Sequence, residues 1–370
     1  MPPIDACRHR LASQHLVKQK VQTGSEIVRL FGAVQAQDYS GAKWGLGQRT
    51  IASDDAAIEK EFSDGAILRT HVLRPTWHFV APADIRWMLA LTAPRVKAAM
   101  ASYDRKLELD GPVLRRSQKA LTKALTGGKE LTRAELAQAL TRAGVRADGT
   151  QRLAHLVMHA ELDGLICSGA RRGKQFTYAL LEERVPPAKD LDRDSALHEL
   201  AIRYFATRGP ATENDFAWWS GLKKGDARAA AHSAESSLDS EIIGGSKYWF
   251  QPAAIIPKPK SPFARLLPNY DEYFIGLKDR GSIQMKIAGI KQSMALLGAH
   301  IAIIDGQIVG GWTRTFDRKS VVVTLRPLTQ LTAADERAIA SEVTKFGEFL
   351  RSRIRFSCLS FCVNLQAIPK

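Results

Sequence analysis

Apolar and polar residues alternate along this chain with two periods, and the changes of period divide it. Between residues 111 and 188 the pattern predicts three helices and a hairpin. The first helix runs over 117–125. The second runs over 131–140, with Thr132 as its N-cap and Glu135 three residues on, the two halves of a capping box. Asp148-Gly149-Thr150 opens the third, whose apolar Leu153, Leu156, Val157 and Ala160 return at helical spacing. Gly164-Leu165-Ile166-Cys167 reads as a strand, 169–174 as a basic turn, and 175–180 as the returning strand. Three helices closed by a basic hairpin predict a winged helix.

The same order of elements recurs less regularly on either side. Helices are expected over 195–207, 213–219 and 226–234, followed by a hairpin over 242–250. Toward the N-terminus a helix-like run covers 25–34, a second helix starts at Asp54, and one extended run covers 69–80. After about residue 256 the period shortens. Strands are expected over 282–285, 300–304, 307–310 and 320–325, with Asp305-Gly306 as a tight turn and a long helix over 333–351. Breaks at Gly111-Pro112, at Pro186-Pro187-Ala188-Lys189 and among the prolines from Pro252 to Pro262 mark the joints. The predicted class is α+β: about three tandem winged-helix modules in an arc (1–110, 111–188, 189–255), then a small β-barrel or sheet with a helix (256–370). A chain of 370 residues is expected to hold two to four domains.

Charge changes the picture more than composition does. Lys and Arg number 53 against 38 acids, a net charge of +15, which points to a polyanionic partner and to nucleic acid first. No run of eighteen apolar residues exists to span a bilayer, and Met1-Pro2-Pro3-Ile4-Asp5-Ala6 lacks the regions of a secretory signal. A cytoplasmic protein is expected, nucleoid-associated in a bacterium, with no membrane partner. Cys7, Cys167, Cys358 and Cys362 are too few and too scattered for a disulfide framework.

The candidate chemistry centres on Gln35-Ala36-Gln37, followed by Asp38-Tyr39-Ser40-Gly41. Amides pair donors with acceptors but are not strong bases. Such a site suits a leaving group that is already activated, or recognition without reaction. Residues i and i+2 share a side only in extended or irregular backbone, so the motif must lie at or beyond the end of the helix-like run. Thr76 and His78 share one face of the extended run by the same argument. Arg69 and Arg74 are candidate phosphate contacts. Arg171, Arg172 and Lys174 form a basic wing able to lie along a DNA backbone, with Lys223, Lys224, Lys258 and Lys260 as further cations. His155 and His159 stand four apart on a helix, but Leu156 occupies the place where a zinc-protease motif needs Glu, so no metal is expected. Asp271 and Glu272, between Tyr270 and Tyr273, read as a structural hinge before an acid–base pair. No phosphate-binding glycine loop or dinucleotide fingerprint is present, so no nucleotide cofactor is implied.

Several of these stretches resemble the AlkZ/YcaQ-type winged-helix DNA glycosylases. Val34-Gln35-Ala36-Gln37-Asp38 is similar to the family's catalytic motif. Thr70 through Val80 resembles its threonine-x-histidine strand, with Arg74-Pro75 where many members have arginine-glycine. Leu266-Leu267-Pro268-Asn269-Tyr270-Asp271-Glu272-Tyr273 through Asp279-Arg280 resembles its proline-to-arginine stretch, and Asp305-Gly306 with Gly310-Gly311-Trp312 its late hairpin. Gln37 follows the AlkZ-like branch; the YcaQ-like branch has aspartate there. The resemblance implies a monofunctional DNA glycosylase that hydrolyses the N-glycosidic bond of alkylated purines, including bulky or crosslinked adducts. In that reading Gln35 and Gln37 position water. Asp38, Thr76 and His78 act in catalysis or on the DNA backbone. Arg69, Arg74, Arg171, Arg172 and Lys174 bind DNA. The partner is double-stranded DNA with alkylated bases, and the protein is a monomer. The alternative is a non-catalytic tandem winged-helix regulator.

Overall fold

The computed structural model describes residues 5–18, 21–188, 190–252, 259–280, 299–317 and 320–359. The strand expected over 282–285, Lys189, Lys258 and Cys362 lie outside them.

The first segment holds α1 (Ala6–Ser13), α2 (Gly24–Phe31), β1 (Ala33–Gln35), α3 (Tyr39–Gly47), α4 (Asp55–Ser63), β2 (Leu68–His71), β3 (Trp77–Val80) and α5 (Ile85–Lys106). A capping box between Thr23 and Glu26 starts α2. The helix expected over 25–34 stops at Phe31, because Gly32 takes φ 73° and frees 33–35 to pair as a strand. Gln35 therefore ends a strand, not a helix. The single extended run over 69–80 is two strands: Leu73 takes φ 63° and the chain doubles back. Thr76 falls in that turn, off the strand that carries His78. The 22-residue α5 was not anticipated, since Pro94 sits inside it and proline ordinarily breaks a helix interior.

The second segment holds α6 (Gly111–Leu125), β4 (Leu131–Thr132), α7 (Arg133–Arg142), α8 (Thr150–Leu162), β5 (Ile166–Ser168), β6 (Thr177–Leu180) and α9 (Leu181–Arg184). Gly111-Pro112 is no linker. Asp110 caps α6 and the proline occupies its first turn, where a missing N–H costs nothing. The sheet order is β4-β6-β5. The third segment holds α10 (Arg193–Arg208), α11 (Glu213–Ser220), α12 (Lys224–Ser233) and the hairpin of β7 (Asp239–Ile243) and β8 (Ser246–Phe250).

The last segment holds β9 (Ala264–Leu267), α13 (Glu272–Ile275), β10 (His300–Ile304), β11 (Gln307–Phe316), β12 (Ser320–Pro327), α14 (Ala333–Phe349) and β13 (Arg353–Cys358). These five strands form an open sheet in the order β13-β12-β11-β10-β9, antiparallel except for the β12–β13 pair. Asp305 and Gly306 both take positive φ in the β10–β11 turn, as an Asp-Gly hairpin requires.

Four buried apolar clusters hold these pieces together among the described residues. Leu121, Leu136, Leu156 and Ile166 belong to one that lies in the second segment and reaches back to Leu109. A small one packs Ala93 and Val96 of α5 against Met158 and Leu162 of α8. The other two cross the chain. Phe31, Trp44 and Phe79 pack with Leu266, Trp312 and Phe346, while Leu68, Met88 and Tyr204 pack with Trp219, Tyr273 and Ile303. Buried ion pairs stitch the same seam. Arg208 bonds Glu272 at 2.7 Å with side chains 0% and 2% exposed, and Arg49 bonds both oxygens of Asp271 at 2.7 and 2.9 Å. Removing one member of such a pair strands the other charge in the interior. Glu272→Ala is therefore expected to lower unfolding free energy by about 3–5 kcal/mol, read from the denaturant midpoint at unchanged slope.

Candidate active site

The sheet of the first segment has the order β1-β3-β2, so β1 is an edge strand. Gln35 pairs with His78, and His78 with Thr70. Directly paired residues share a face, so Gln35, His78 and Thr70 form a row across the sheet. Arg69, Trp77 and His71 occupy the opposite face by alternation.

Every backbone N–H of the glutamine motif has a partner. That of Gln35 donates to Glu272 Oε1 at 2.8 Å, that of Ala36 to the Trp77 carbonyl at 2.8 Å, and that of Gln37 to Gln35 Oε1 at 3.1 Å. The Ala36 carbonyl accepts from Arg69 Nε at 3.1 Å. Ala36 is fully buried, which explains why the middle residue is small and apolar. The two glutamines then diverge in role. Gln35 is 6% exposed and spends a lone pair of its carbonyl on the turn itself. Gln37 is exposed, and its side-chain amide has no bond among the described residues.

Asp38 ends the turn by capping α3, accepting from the Gly41 N–H at 3.0 Å. A Cβ on residue 41 would stand 2.6 Å from Asp38 Oδ2, so glycine is the residue that fits. Asp38 also pairs with Arg314 at 3.1 Å. Beside Gln35 lies a small cavity of about 10 Å³, lined by Ala42, Gly45, Pro268 and Asn269, on the order of what one water needs.

Thr76 and His78 do not face solvent as a pair. His78 is 0% exposed; its Nδ1 lies 2.9 Å from the Thr76 carbonyl, and burial holds its pKa well below the usual histidine value, so the ring is neutral. What it contributes to the site is the strand that positions Gln35.

Arg69 is 7% exposed, with its guanidinium 4.3 Å from the Trp77 ring and 4.5 Å from the Phe176 ring. Burial lowers its pKa to about 10, still cationic at neutral pH. It grips the Ala36 carbonyl rather than facing outward. Phe176 comes from the basic turn of the second segment, and Ser168 Oγ of the same segment accepts the Arg69 N–H at 2.8 Å. Arg171 packs over Tyr39 and Phe176, Arg172 pairs with Glu135 at 2.8 Å, and Lys174 is exposed with no ion pair among the described residues. Arg74 is half-buried with its guanidinium 5.8 Å from the Trp218 ring. Sequence reasoning missed the positioning parts played by Glu272, Arg208, Ser168 and Phe176. The arginine–aromatic spacing of Arg69 and Trp77 was the one available signal.

An open cleft of about 470 Å³ lies between Ser40, Lys43, Asp55, Glu59, Arg171 and Arg314. Its cations are matched by acids: Lys43 with Asp55 and Glu59, Arg171 with Glu59, Arg314 with Asp38. His155 and His159 both bond Asp104, at 2.9 and 3.0 Å. Among the described residues no group of three or more His, Cys, Asp or Glu is arranged to hold a metal ion, and no helix is long and apolar enough to cross a membrane.

A family model described as DNA glycosylase AlkZ-like matches residues 28–349. A relative from Streptomyces sahachiroi, named interstrand DNA cross-link repair glycosylase, is 24% identical over 325 residues, 82% of this chain and 85% of that protein. The solved structure of Streptomyces sahachiroi DNA glycosylase AlkZ superposes with a TM-score of 0.76 at 21% identity, covering 96% of this chain and 98% of that one. At that identity the likeness shows the fold: mixed α and β, with the curled sheet at the C-terminal end. The matched span takes in the pinned Gln35-Ala36-Gln37 turn, β3 and the Asp271-Glu272 anchor, and the chain belongs to the AlkZ-like DNA glycosylase family.

Proposed function

We propose that this chain is a monofunctional DNA glycosylase for alkylated purines, working on double-stranded DNA as a monomer. The observation that carries the reading is an exposed, unengaged amide, Gln37, on a backbone pinned at every N–H. An N7-alkylated purine is already cationic, so the base leaves as a neutral molecule and needs little acid catalysis. What remains is to place water against an oxocarbenium-like sugar, which is a matter of position rather than basicity. Gln37 Oε1 accepts a hydrogen bond from that water, and Gln35 holds the turn that aims Gln37. Asp38 fixes the start of α3 and keeps the turn from unwinding. The segments 1–110, 111–188 and 189–255 serve as DNA-embracing modules, with Lys174 on the turn of the second as a phosphate contact. The relative's name supports bulky and crosslinked adducts as part of the substrate range. Lys43, the lysine nearest the motif in sequence, is 4% exposed and bound by Asp55 and Glu59.

Wild type is expected to convert an N7-methylguanine duplex to abasic sites without strand cleavage and without a borohydride-trapped adduct. Appearance of that adduct would overturn the monofunctional mechanism. Gln37→Ala should slow single-turnover release by about 10²-fold with unchanged affinity for the duplex. Wild-type rates from Gln37→Ala would remove Gln37 from the mechanism.

Arg69→Met, which keeps bulk but loses the bond to Ala36, should slow release by about tenfold with little change in affinity. A fall in affinity at constant rate would make Arg69 a DNA contact instead. Single-turnover rates should be flat from pH 6 to 9, because neither glutamine titrates and His78 is neutral throughout. A sloping limb in that window would call for a titrating base.

A further inference from the structure

Burying a charge is costly unless an opposite charge accompanies it. Among the described residues the buried Arg49, Arg208 and Arg265 each meet a carboxylate, while the buried Arg69 and Arg152 donate to carbonyls instead. Two further arginines form no ion pair and leave a guanidinium nitrogen without a hydrogen bond. Arg280 is 8% exposed, donates Nε to the Phe274 carbonyl at 2.9 Å, and leaves Nη2 buried with no partner. Arg74 is half-buried and its Nε is likewise unpartnered. Neither forms an ion pair among the described residues. Sequence 281–298, which follows Arg280, contains Lys286 and Lys291 and no Asp or Glu.

The two arginines converge on one ring. Each guanidinium lies 5.8 Å from the centroid of Trp218, within cation–π range. Burial lowers the Arg280 pKa, the Asp215 and Asp279 carboxylates oppose that shift, and repulsion from Arg74 adds to it. Trp218 is 36% exposed on a helix whose neighbouring indole, Trp219, is fully buried. The fold holds this arrangement firmly. Gly221 ends α11 at φ 71°, and a Cβ there would collide with the Leu73 carbonyl, so α11 presses on the turn that presents Arg74. Trp218 Nε1 is tied to the Ile275 carbonyl at 3.3 Å. An exposed indole beside two guanidiniums that form no direct ion pair among the described residues is a surface suited to a planar anion-bearing ligand.

We propose that Arg74, Trp218 and Arg280 form a nucleotide clamp: a DNA phosphodiester seats against Arg74, its base or sugar lies on the Trp218 indole, and Arg280 supplies the second positive charge from behind. The clamp stands on the same strand–turn–strand as the site, since Arg74 precedes β3 and Gln35 pairs with His78 on β3. It deepens the DNA glycosylase reading and rests on DNA as the substrate.

The test uses the full chain and a duplex carrying one unpaired nucleotide. R74Q/R280Q should lower the slope of log affinity against log salt by about one, the loss of one phosphate contact. R74K/R280K, which keeps both charges, should retain the wild-type slope. W218A should weaken binding by about tenfold and W218F much less. Removing unpaired cations should leave the melting temperature of R74Q/R280Q unchanged or raised, which a structural role for these arginines would not do. Wild-type slope in R74Q/R280Q would overturn the clamp, as would a lowered slope in the lysine variant. Saturable protection by inorganic phosphate at constant ionic strength, lost in R74Q/R280Q, would assign the site to a free anion and overturn it also. Base release from N7-methylguanine duplex is measured in parallel. Binding and excision with no change of slope removes the clamp alone; a changed slope without excision by wild type removes the enzyme reading alone.

Discussion

Glu272 is the group on which the rest of the site depends. Its Oε2 accepts from Arg208 and from Trp219 Nε1 at 2.9 Å, while its Oε1 accepts the N–H of Gln35. One carboxylate thus joins α13 of the last segment, α10 and α11 of the third, and the edge strand of the first. Arg208 extends the join by donating to the carbonyls of Phe31 and Ala33, on either side of the glycine that ends α2. An edge strand has unpaired N–H groups by nature. Here the last of them is captured by a buried anion, and that fixes where the strand stops and the glutamine turn begins.

The second segment acts on the same turn from the other face. Phe176 closes over the Arg69 guanidinium, and Arg69 holds the Ala36 carbonyl. A basic turn that looks from sequence like a free DNA-binding wing is partly an internal brace. Its cations divide accordingly: Arg171 faces inward to aromatic rings and Arg172 to an acid, and Lys174 is left in solvent.

The net charge of +15 is unevenly spent. In the cleft beside Lys43 and Arg171 each cation has an acidic neighbour, so the cleft offers an anion little net field. Around Trp218 neither guanidinium forms a direct ion pair among the described residues. Where charge is neutralised it holds segments together; where it is left open it is available to a ligand. Excess charge in a sequence therefore points to a polyanion, and the pairing pattern shows which cations are already committed to internal partners.

Much of the architecture was legible in the chain. The helices of 111–188 and 189–255, the Asp305-Gly306 hairpin and the long last helix follow from periodicity, capping boxes and turn residues, which act over a few positions. For the glutamine motif, residue type alone speaks against strong base catalysis. What failed had a common cause. Gly32 ended a helix that periodicity would continue, Leu73 folded one extended run into two strands, and Pro94 was tolerated inside a helix buried on both flanks. Only the tertiary structure decided that Glu272, 237 positions away, anchors Gln35, that Arg69 faces inward, and that Arg74 and Arg280 meet at one indole. Local sequence sets backbone preference and chemical capacity. Which charges find partners depends on contacts between distant segments, and that leaves no periodic trace in the chain.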